Sequence, residues 1–397
     1  MWLWYAVKVR RYSSVKWLFL ALAMGGLLGW LVWQWIAHSQ GSVKAARESK
    51  SYQTDKALAP STPTLRELDA VGRDTAAAKM LLTEAWAKLS ASPLPVEKRA
   101  DLLAYLGQRL DALRAEDTVM AILAELASGR DADTGLPFVP GEEGLESATA
   151  WRVFLLDRLG RLDPRAAADY ARQSIFPSSN SAEEWAVSLR NVLHSYPPRA
   201  VERSRAEISS LLGQMLARPE WRAAQAQGLL EALDFMPHTA DPIVHLAAMS
   251  AWANESVNPV TATAAQIALE RTMSQHGDVI ITALAASPDA QPLRASAMAR
   301  ADLRRPAQAQ AVADFLRRQA PEGEEVVVFF NAFPLHRFSV APGLAGIPRV
   351  PDAADMKAAD EAALGVMTAW SDDPSLAAHR ENLAGLTEKL RELTGRK

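Results

Sequence analysis

The chain has 397 residues, of which 49% are hydrophobic and 22% charged, so it holds enough apolar material for a sizeable core and is not globally disordered. It contains no cysteine, which excludes disulfide bonds, thiolate metal ligands and cysteine nucleophiles. The net charge is −3, and this mildly acidic balance excludes nucleic acid as the expected main partner, because phosphate binding needs a basic surface.

Residues 1–16 form a basic leader, and residues 17–37 (WLFLALAMGGLLGWLVWQWIA) predict a transmembrane helix. The segment carries no charge, and at 1.5 Å per residue its helix spans roughly 31 Å, the thickness of a bilayer core. Indole side chains favour the headgroup region, so we expect the tryptophans at its two ends to be interfacial anchors. They are Trp17, Trp30, Trp33 and Trp35. A signal peptide cleaved near Ala37-His38-Ser39 is the alternative, although the apolar stretch is longer than such signals usually are.

The charges around this segment predict its orientation. Residues 1–37 carry four basic side chains and no acid, whereas basic residues after the span are diluted by acids. A short basic leader before a first span usually stays in the cytoplasm. We therefore expect a single-pass protein of the inner (cytoplasmic) membrane, with the amino terminus inside and the large domain periplasmic. The bacterial assignment rests only on the alanine- and arginine-rich composition.

Small residues recur every four positions within the predicted span, at Ala21, Gly25 and Gly29. These residues share one helical face and would let two such helices approach closely. The first interpretation is that glycine is simply common in membrane helices, and a homodimer through the membrane helix is the alternative.

Residues 38–63 contain few large apolar groups and predict a flexible linker, after which residues 64–325 predict a helical-repeat domain. Ser181 with Glu184 forms a capping-box pattern, in which each side chain can satisfy an exposed backbone amide. Other helix starts place a capping side chain directly before proline. They are Asp163-Pro164, Asp241-Pro242, Asn258-Pro259 and Asp373-Pro374. These signals divide the region into about fourteen to sixteen helices.

The spacing of helix pairs predicts the architecture. After the first gap, successive pairs start about 30 to 40 residues apart, an interval typical of HEAT and tetratricopeptide solenoids. Alternating β patterns are nearly absent, and no strict repeat consensus recurs. The sequence therefore predicts an all-α fold, an irregular α-solenoid of helical hairpins. A compact helical bundle is the alternative.

Two segments interrupt the helical pattern. Residues 128–146 are rich in Gly, Pro and acids and predict a long loop, whereas residues 326–351 predict an aromatic and proline-rich strap before a C-terminal helical pair at 352–397. The strap is interpreted as a buried helix followed by an extended segment packed on the solenoid. The alternative is an exposed docking segment, with candidate residues Phe333, Arg337, Phe338 and Leu344.

Two further sets of residues have both a structural and a functional interpretation. Six tryptophans are spread along the helical region as expected core anchors, with an exposed aromatic ladder as the alternative. They are Trp86, Trp151, Trp185, Trp221, Trp252 and Trp370. Six arginines form a basic interval, interpreted as solvated helix faces, with an acidic partner or anionic lipid as the alternative. They are Arg294, Arg300, Arg304, Arg305, Arg317 and Arg318.

No local motif for catalysis or cofactor binding is present: no nucleophile elbow, phosphate loop, dinucleotide fingerprint or zinc-protease helix. His238 and His245 lie near Asp234 and Asp241, but Asp241 is better explained as a helix cap, so we predict no metal, cofactor or catalytic residue. The expected function is a membrane-anchored helical-repeat scaffold or adaptor for protein–protein interaction at the cell envelope. The alternative is a cell-envelope enzyme whose active site is assembled from distant residues. A purely structural tether in a larger complex is the third hypothesis.

Overall fold

The computed structural model describes residues 65–91, 94–253, 259–286, 291–335, 343–346 and 352–395. Helices dominate these ranges, and the all-α prediction is confirmed. None of the helices in this part of the chain combines the length and the apolar character needed to cross a bilayer. The predicted membrane span at 17–37 and the linker at 38–63 lie outside the described residues.

Seventeen α-helices can be assigned within the described ranges, close to the number that the start signals predicted. In the first half they are α1 (Leu65–Ser90), α2 (Val96–Asp111), α3 (Ala115–Ala127), α4 (Trp151–Leu162), α5 (Pro164–Tyr170), α6 (Phe176–Ser178), α7 (Ala182–Ser195), α8 (Val201–Leu216) and α9 (Pro219–Ala223). In the second half they are α10 (Gln227–Ala232), α11 (Ile243–Ala253), α12 (Pro259–Ala286), α13 (Gln291–Met298), α14 (Pro306–Arg318), α15 (Glu324–Ala332), α16 (Ala353–Ser371) and α17 (Arg380–Thr394).

The predicted caps at Asp163, Ser181, Asp241 and Asp373 begin their helices, with one difference in the capping box, and Asn258 lies outside the described residues. The Asp163 carboxylate accepts from two backbone amides at the start of α5, and the Ser181 hydroxyl accepts from the Glu184 amide over 3.2 Å. The Glu184 side chain, however, does not complete a reciprocal box. Its carboxylate accepts from Arg152 Nε over 2.6 Å, because a nearly buried charge is stabilised more by an ion pair with α4 than by one backbone amide.

A wide π-turn at Ala171–Ile175 follows α5 and leads into α6. Pro177 supplies the physical reason, since its nitrogen cannot donate to the carbonyl four residues earlier and its ring crowds that carbonyl. The helix widens instead, and the Phe176 amide donates to the Ala171 carbonyl. The π-turn therefore sets the direction of Arg172, one of the side chains of the groove described below.

Residues 128–146 include a short antiparallel hairpin, where the sequence predicted only a loop. Strands β1 (Val139–Pro140) and β2 (Leu145–Ser147) pair at the end of the segment. The Leu145 amide donates to the Asp157 carboxylate over 2.8 Å, so a buried acid on α4 holds the hairpin. A three-residue strand has too little alternation to be recognised from sequence.

The tryptophans of the helical region pack in or against the hydrophobic core, as the anchor interpretation predicted. Trp151, Trp185, Trp221 and Trp252 are buried, whereas Trp86 and Trp370 are half-buried. Trp185 packs edge-on against Trp221, with ring centroids 5.7 Å apart, and so joins α7 to α9. The Trp151 indole N–H donates to the Glu125 carboxylate on α3, so its polar group is satisfied although the ring is buried.

Helices pack mainly on partners that are close in the chain. α1 packs on α2 and α3, α4 on α5 and α7, α7 on α8 and α10, and α12 on its neighbours α11, α13 and α14. Arginine–carboxylate pairs connect these groups of helices. They include Arg152–Glu184, Arg190–Asp157, Arg172–Glu207 and Arg294–Glu325, whose partners are separated by 32, 33, 35 and 31 residues. These four separations fall inside the interval that the sequence predicted between helix pairs, whereas Arg158–Asp111 and Arg317–Asp373 are separated by 47 and 56 residues.

The strap begins as helix α15, which contains the run of valines and phenylalanines. Phe333 and Leu344 are buried, so these two candidate docking residues contribute to the core in this structure. Phe333 packs against Phe329, with ring centroids 5.5 Å apart, because covering an aromatic ring removes a large apolar area from water. Arg337 and Phe338 lie outside the described residues, and docking on the segment as a whole stays a prediction.

Candidate functional site

An open concave region lies between α5 and α8. It consists of two adjoining depressions, of about 360 and 680 Å³. They share Arg165, Ser195, Tyr196 and Pro197, so together they form one continuous groove, which we call the α5–α8 groove. One side is supplied by α5 and its π-turn, the other by α8, and the loop after α7 lies between them.

Arg172 and Glu207 connect the two sides of the groove. Arg172 Nε donates to Glu207 Oε1 over 2.8 Å, and Arg172 Nη2 donates to Glu207 Oε2 over 3.0 Å. The remaining guanidinium nitrogen Nη1 donates to Asp169 over 3.2 Å. This bidentate geometry is the most directional form of an arginine–carboxylate pair, so it fixes the distance between α5 and α8.

Tyr196 completes this cluster. Its hydroxyl donates to Glu207 Oε2, and the Arg172 guanidinium lies 5.9 Å from the centre of its ring. The bonds from Arg172 and then from Tyr196 lower the pKa of Glu207 although burial opposes them. Burial, followed by the bond to Glu207, raises the pKa of Tyr196. At neutral pH Glu207 is therefore a carboxylate and Tyr196 a neutral phenol.

This protonation state limits the chemistry of the cluster. A general acid or base needs a pKa near the working pH and a free lone pair or proton directed at a substrate. Both oxygens of Glu207 already accept from its neighbours, and the Tyr196 hydroxyl already donates its hydrogen bond to Glu207. The arrangement is suited to holding a surface in one shape rather than to transferring protons.

The groove has two other arginines, and these are not part of the central cluster. Arg165 on α5 and Arg203 on α8 are exposed, and neither forms an ion pair with any residue that the structure describes. Their guanidinium groups can therefore accept an incoming anion without breaking an existing pair. The groove thus presents two exposed positive charges, one from each side, of which Arg203 also contributes to the lowered pKa of Glu207.

Sequence reasoning did not identify this groove. Arg165, Asp169 and Arg172 recur at helical spacing, and Arg203 and Glu207 do so on α8, but such rows are usual on solvated helix faces. The one local signal is Pro177, whose disturbance of the helix redirects Arg172. Which two rows face each other depends on the packing of α5, α7 and α8.

The residues that the sequence singled out are distributed differently. Ala21, Gly25, Gly29 and the four interfacial tryptophans lie outside the described residues. Asp234 is paired with Arg271, and the Asp241 carboxylate accepts from the Ile243 amide over 2.9 Å as a cap. Among the described residues no three His, Cys, Asp or Glu side chains converge in a way that could hold a metal ion.

The basic interval between Arg294 and Arg318 is more internally paired than a solvated face would be. Arg294 is nearly buried and donates to Glu325 through two nitrogens, at 2.9 and 2.7 Å. Arg300 pairs with Glu270, and the more exposed Arg304 pairs with Asp302 and Asp355. The interpretation as solvated faces was wrong for Arg294 and Arg300, because their acidic partners lie on other helices and were not visible as local neighbours.

Comparison of the chain with protein-family models, with curated proteins and with solved structures found no match.

Proposed function

We propose that the protein is a membrane-anchored helical-repeat scaffold that binds a partner protein at the cell envelope. The observation that carries this proposal is the series of arginine–carboxylate pairs whose partners lie 31 to 35 residues apart. Such separations are expected when helical layers stack in chain order. The four pairs join α4 to α7 twice, the turn after α5 to α8, and α13 to α15. An irregular α-solenoid of HEAT-like or tetratricopeptide-like hairpins is the architecture we infer from it.

A stacked helical array favours recognition because it displays several side chains from successive layers along one surface. The α5–α8 groove has this character, since α5, the loop after α7, and α8 all contribute to it. Its central carboxylate is saturated with hydrogen bonds, which supports binding over proton transfer. The hypothesis of an envelope enzyme with a non-local active site stays a prediction.

The apolar segment at 17–37 supports the membrane part of the proposal. An anchored scaffold is confined to a layer near the bilayer, which raises its effective concentration toward partners in the same membrane. The basic leader favours a periplasmic position for the helical domain. We infer that the protein works as a tethered receptor for another envelope protein and pairs with a second copy through the membrane helix.

The proposal is tested by site-specific photo-crosslinking in intact membranes. A photoreactive residue replaces Ser195 in the groove, and in a matched control it replaces Gly385 on the exposed face of α17. We expect one or a few discrete adducts from position 195 that are identified by mass spectrometry and are weak or absent at position 385. If both positions give only the same diffuse adducts, the protein does not act as a scaffold through this surface.

Anchoring is tested on the same membranes by extraction at alkaline pH, which releases peripheral proteins and retains spanning ones. We expect the full-length protein to stay in the membrane pellet. Recovery of a soluble form that begins after residue 37 would show that the apolar segment is a cleaved signal peptide and would contradict the anchor.

A further inference from the structure

We propose that the α5–α8 groove binds an extended acidic segment of the partner protein, with Arg165 and Arg203 as the residues that contact its carboxylates. This inference rests on the proposed function and names the partner's chemistry. It begins from the observation that Arg165 and Arg203 form no ion pair within the described residues, whereas several other arginines do.

Several buried arginines between helices are already committed to carboxylates of the same chain. Arg152, Arg158, Arg190 and Arg294 each form an ion pair shorter than 3.0 Å and are largely buried. Arg165 and Arg203 instead border the same open groove and lack an ion pair within the described residues. Charged side chains left available on both sides of one groove are complementary to an anionic ligand.

The central cluster joins the two helices that carry these arginines. Arg172 is held by Glu207 and Asp169, and Glu207 also accepts from Tyr196, so α5, α8 and the loop after α7 are joined at one point. A surface that is already ordered loses little conformational entropy when a ligand binds. The groove can therefore bind, with little loss of its own conformational entropy, a segment that lies along it and presents one carboxylate to each side.

The carboxylates of the groove restrict the ligand further. Asp169 is exposed, and Glu207 is an ionised acceptor that lines the same depression as the two arginines. A dense polyanion such as nucleic acid or an anionic bilayer would bring negative charge against these groups, which opposes binding. A peptide with separated Asp or Glu side chains can place its carboxylates at Arg165 and Arg203 and uncharged atoms near Tyr196 and Pro197.

The test uses full-length protein in nanodiscs of neutral lipid and a short fluorescent peptide with Glu at alternate positions. The matched peptide carries Gln at the same positions. We expect fluorescence anisotropy to show saturable binding of the Glu peptide, weakened by salt, and no saturable binding of the Gln peptide. The double substitution Arg165→Glu and Arg203→Glu should weaken binding by at least about tenfold.

Arg380→Glu is the matched control, because Arg380 is an exposed arginine at the start of α17 and lies outside the groove. Full-strength binding is expected in this variant. Equal loss in Arg380→Glu would show that only general charge matters and would overturn the inference. Equal binding of the Glu and Gln peptides, no binding of either, or undiminished binding by the double variant would also overturn it.

Two further readouts separate this inference from its competitors and from the proposed function. If vesicles rich in phosphatidylserine compete with the Glu peptide and the double variant loses vesicle binding, the groove is a lipid site and the inference fails. If adducts from position 195 persist in the double variant, the scaffold function stands and the acidic-segment inference fails. If the wild-type protein gives no specific adduct while the Glu peptide binds, the proposed function fails instead.

Discussion

Arg190 on α7 donates to Asp157 on α4 through Nη1 and Oδ1, 2.6 Å apart, and both side chains are almost entirely buried. Asp157 also accepts from the Leu145 amide, and Arg190 donates to the neighbouring Asn191 side chain. One buried pair therefore joins two helical layers and the short hairpin. Removing a single partner leaves a charge without compensation in a region of low dielectric constant.

The first prediction concerns this pair. Arg190→Leu should lower the free energy of unfolding by about 3 to 5 kcal/mol, because the Asp157 carboxylate would stay buried and unpaired. In the double variant with Asp157→Asn, the amide oxygen can still accept from Leu145 and no buried charge remains. We expect that variant to recover much of the loss, as measured by urea unfolding of the full-length protein. A double variant no more stable than Arg190→Leu would contradict a charge-based explanation.

The second prediction compares two glycines in helices. A Cβ at Gly228 would overlap the backbone of Ala182 and Glu183, where α10 meets the start of α7. Because backbone atoms cannot rotate away, Gly228→Ala should destabilise the protein by about 2 kcal/mol or more. Gly385 on α17 has open space around its Cβ position, so Gly385→Ala should instead stabilise by up to about 1 kcal/mol.

Thermal unfolding of the two variants measures this contrast. Opposite shifts in Tm are expected, downward for Gly228→Ala and upward for Gly385→Ala. A neutral result at position 228 would mean that α10 and α7 are not in close contact there.

The third prediction concerns pH. Burial is the main cause, and nearby His194, Arg205 and His276 add to it; together they lower the pKa of His238 from 6.5 to about 4. As the pH falls, the unfolded chain binds this proton before the folded chain does. The stabilising contribution of neutral His238 is therefore complete above about pH 6.5 and is lost as the pH falls through about 4, a difference of up to about 3 kcal/mol.

His238→Gln isolates this contribution. The variant should lose less stability than the wild type between neutral pH and the acidic end of this interval, as measured by urea unfolding at a series of pH values. Burial raises the pKa of Glu231, which acts in the opposite direction, but Glu231 is present in both proteins and cancels in the comparison. Parallel curves for the two proteins would exclude His238 as a source of the pH dependence.

The fourth prediction concerns the membrane segment. Gly25 and Gly29 are spaced for close approach of two helices, so replacing both with Ile should reduce dimers detected by crosslinking in the membrane. Ile keeps the segment apolar, and membrane insertion should be unchanged. The replacement of Leu27 and Leu31 by Ile serves as the control and should leave dimerisation intact. Equal dimer yields from both variants would show that the small-residue face does not pair.

Local sequence was sufficient for much of the secondary structure. Asp163 and Ser181 marked helix starts that the structure confirms. These features depend on hydrogen bonds within a few residues, which are encoded where they act. The burial of Trp151 and Trp185 was predictable for a related reason, since large apolar groups at helical spacing gain most from leaving water.

The pairing of charges and the α5–α8 groove were decided only by tertiary structure. Arg294 looks like an exposed cation in the sequence because its partner Glu325 lies 31 residues away on another helix. Arg172 and Glu207 likewise meet only after α5, α7 and α8 have packed. The sequence determined by itself where the helices lie and which faces are apolar. Which charged side chains form ion pairs, and which stay unpaired, depended on interhelical distances, because hydrogen-bonded ion pairs form only when the two groups are within a few ångströms.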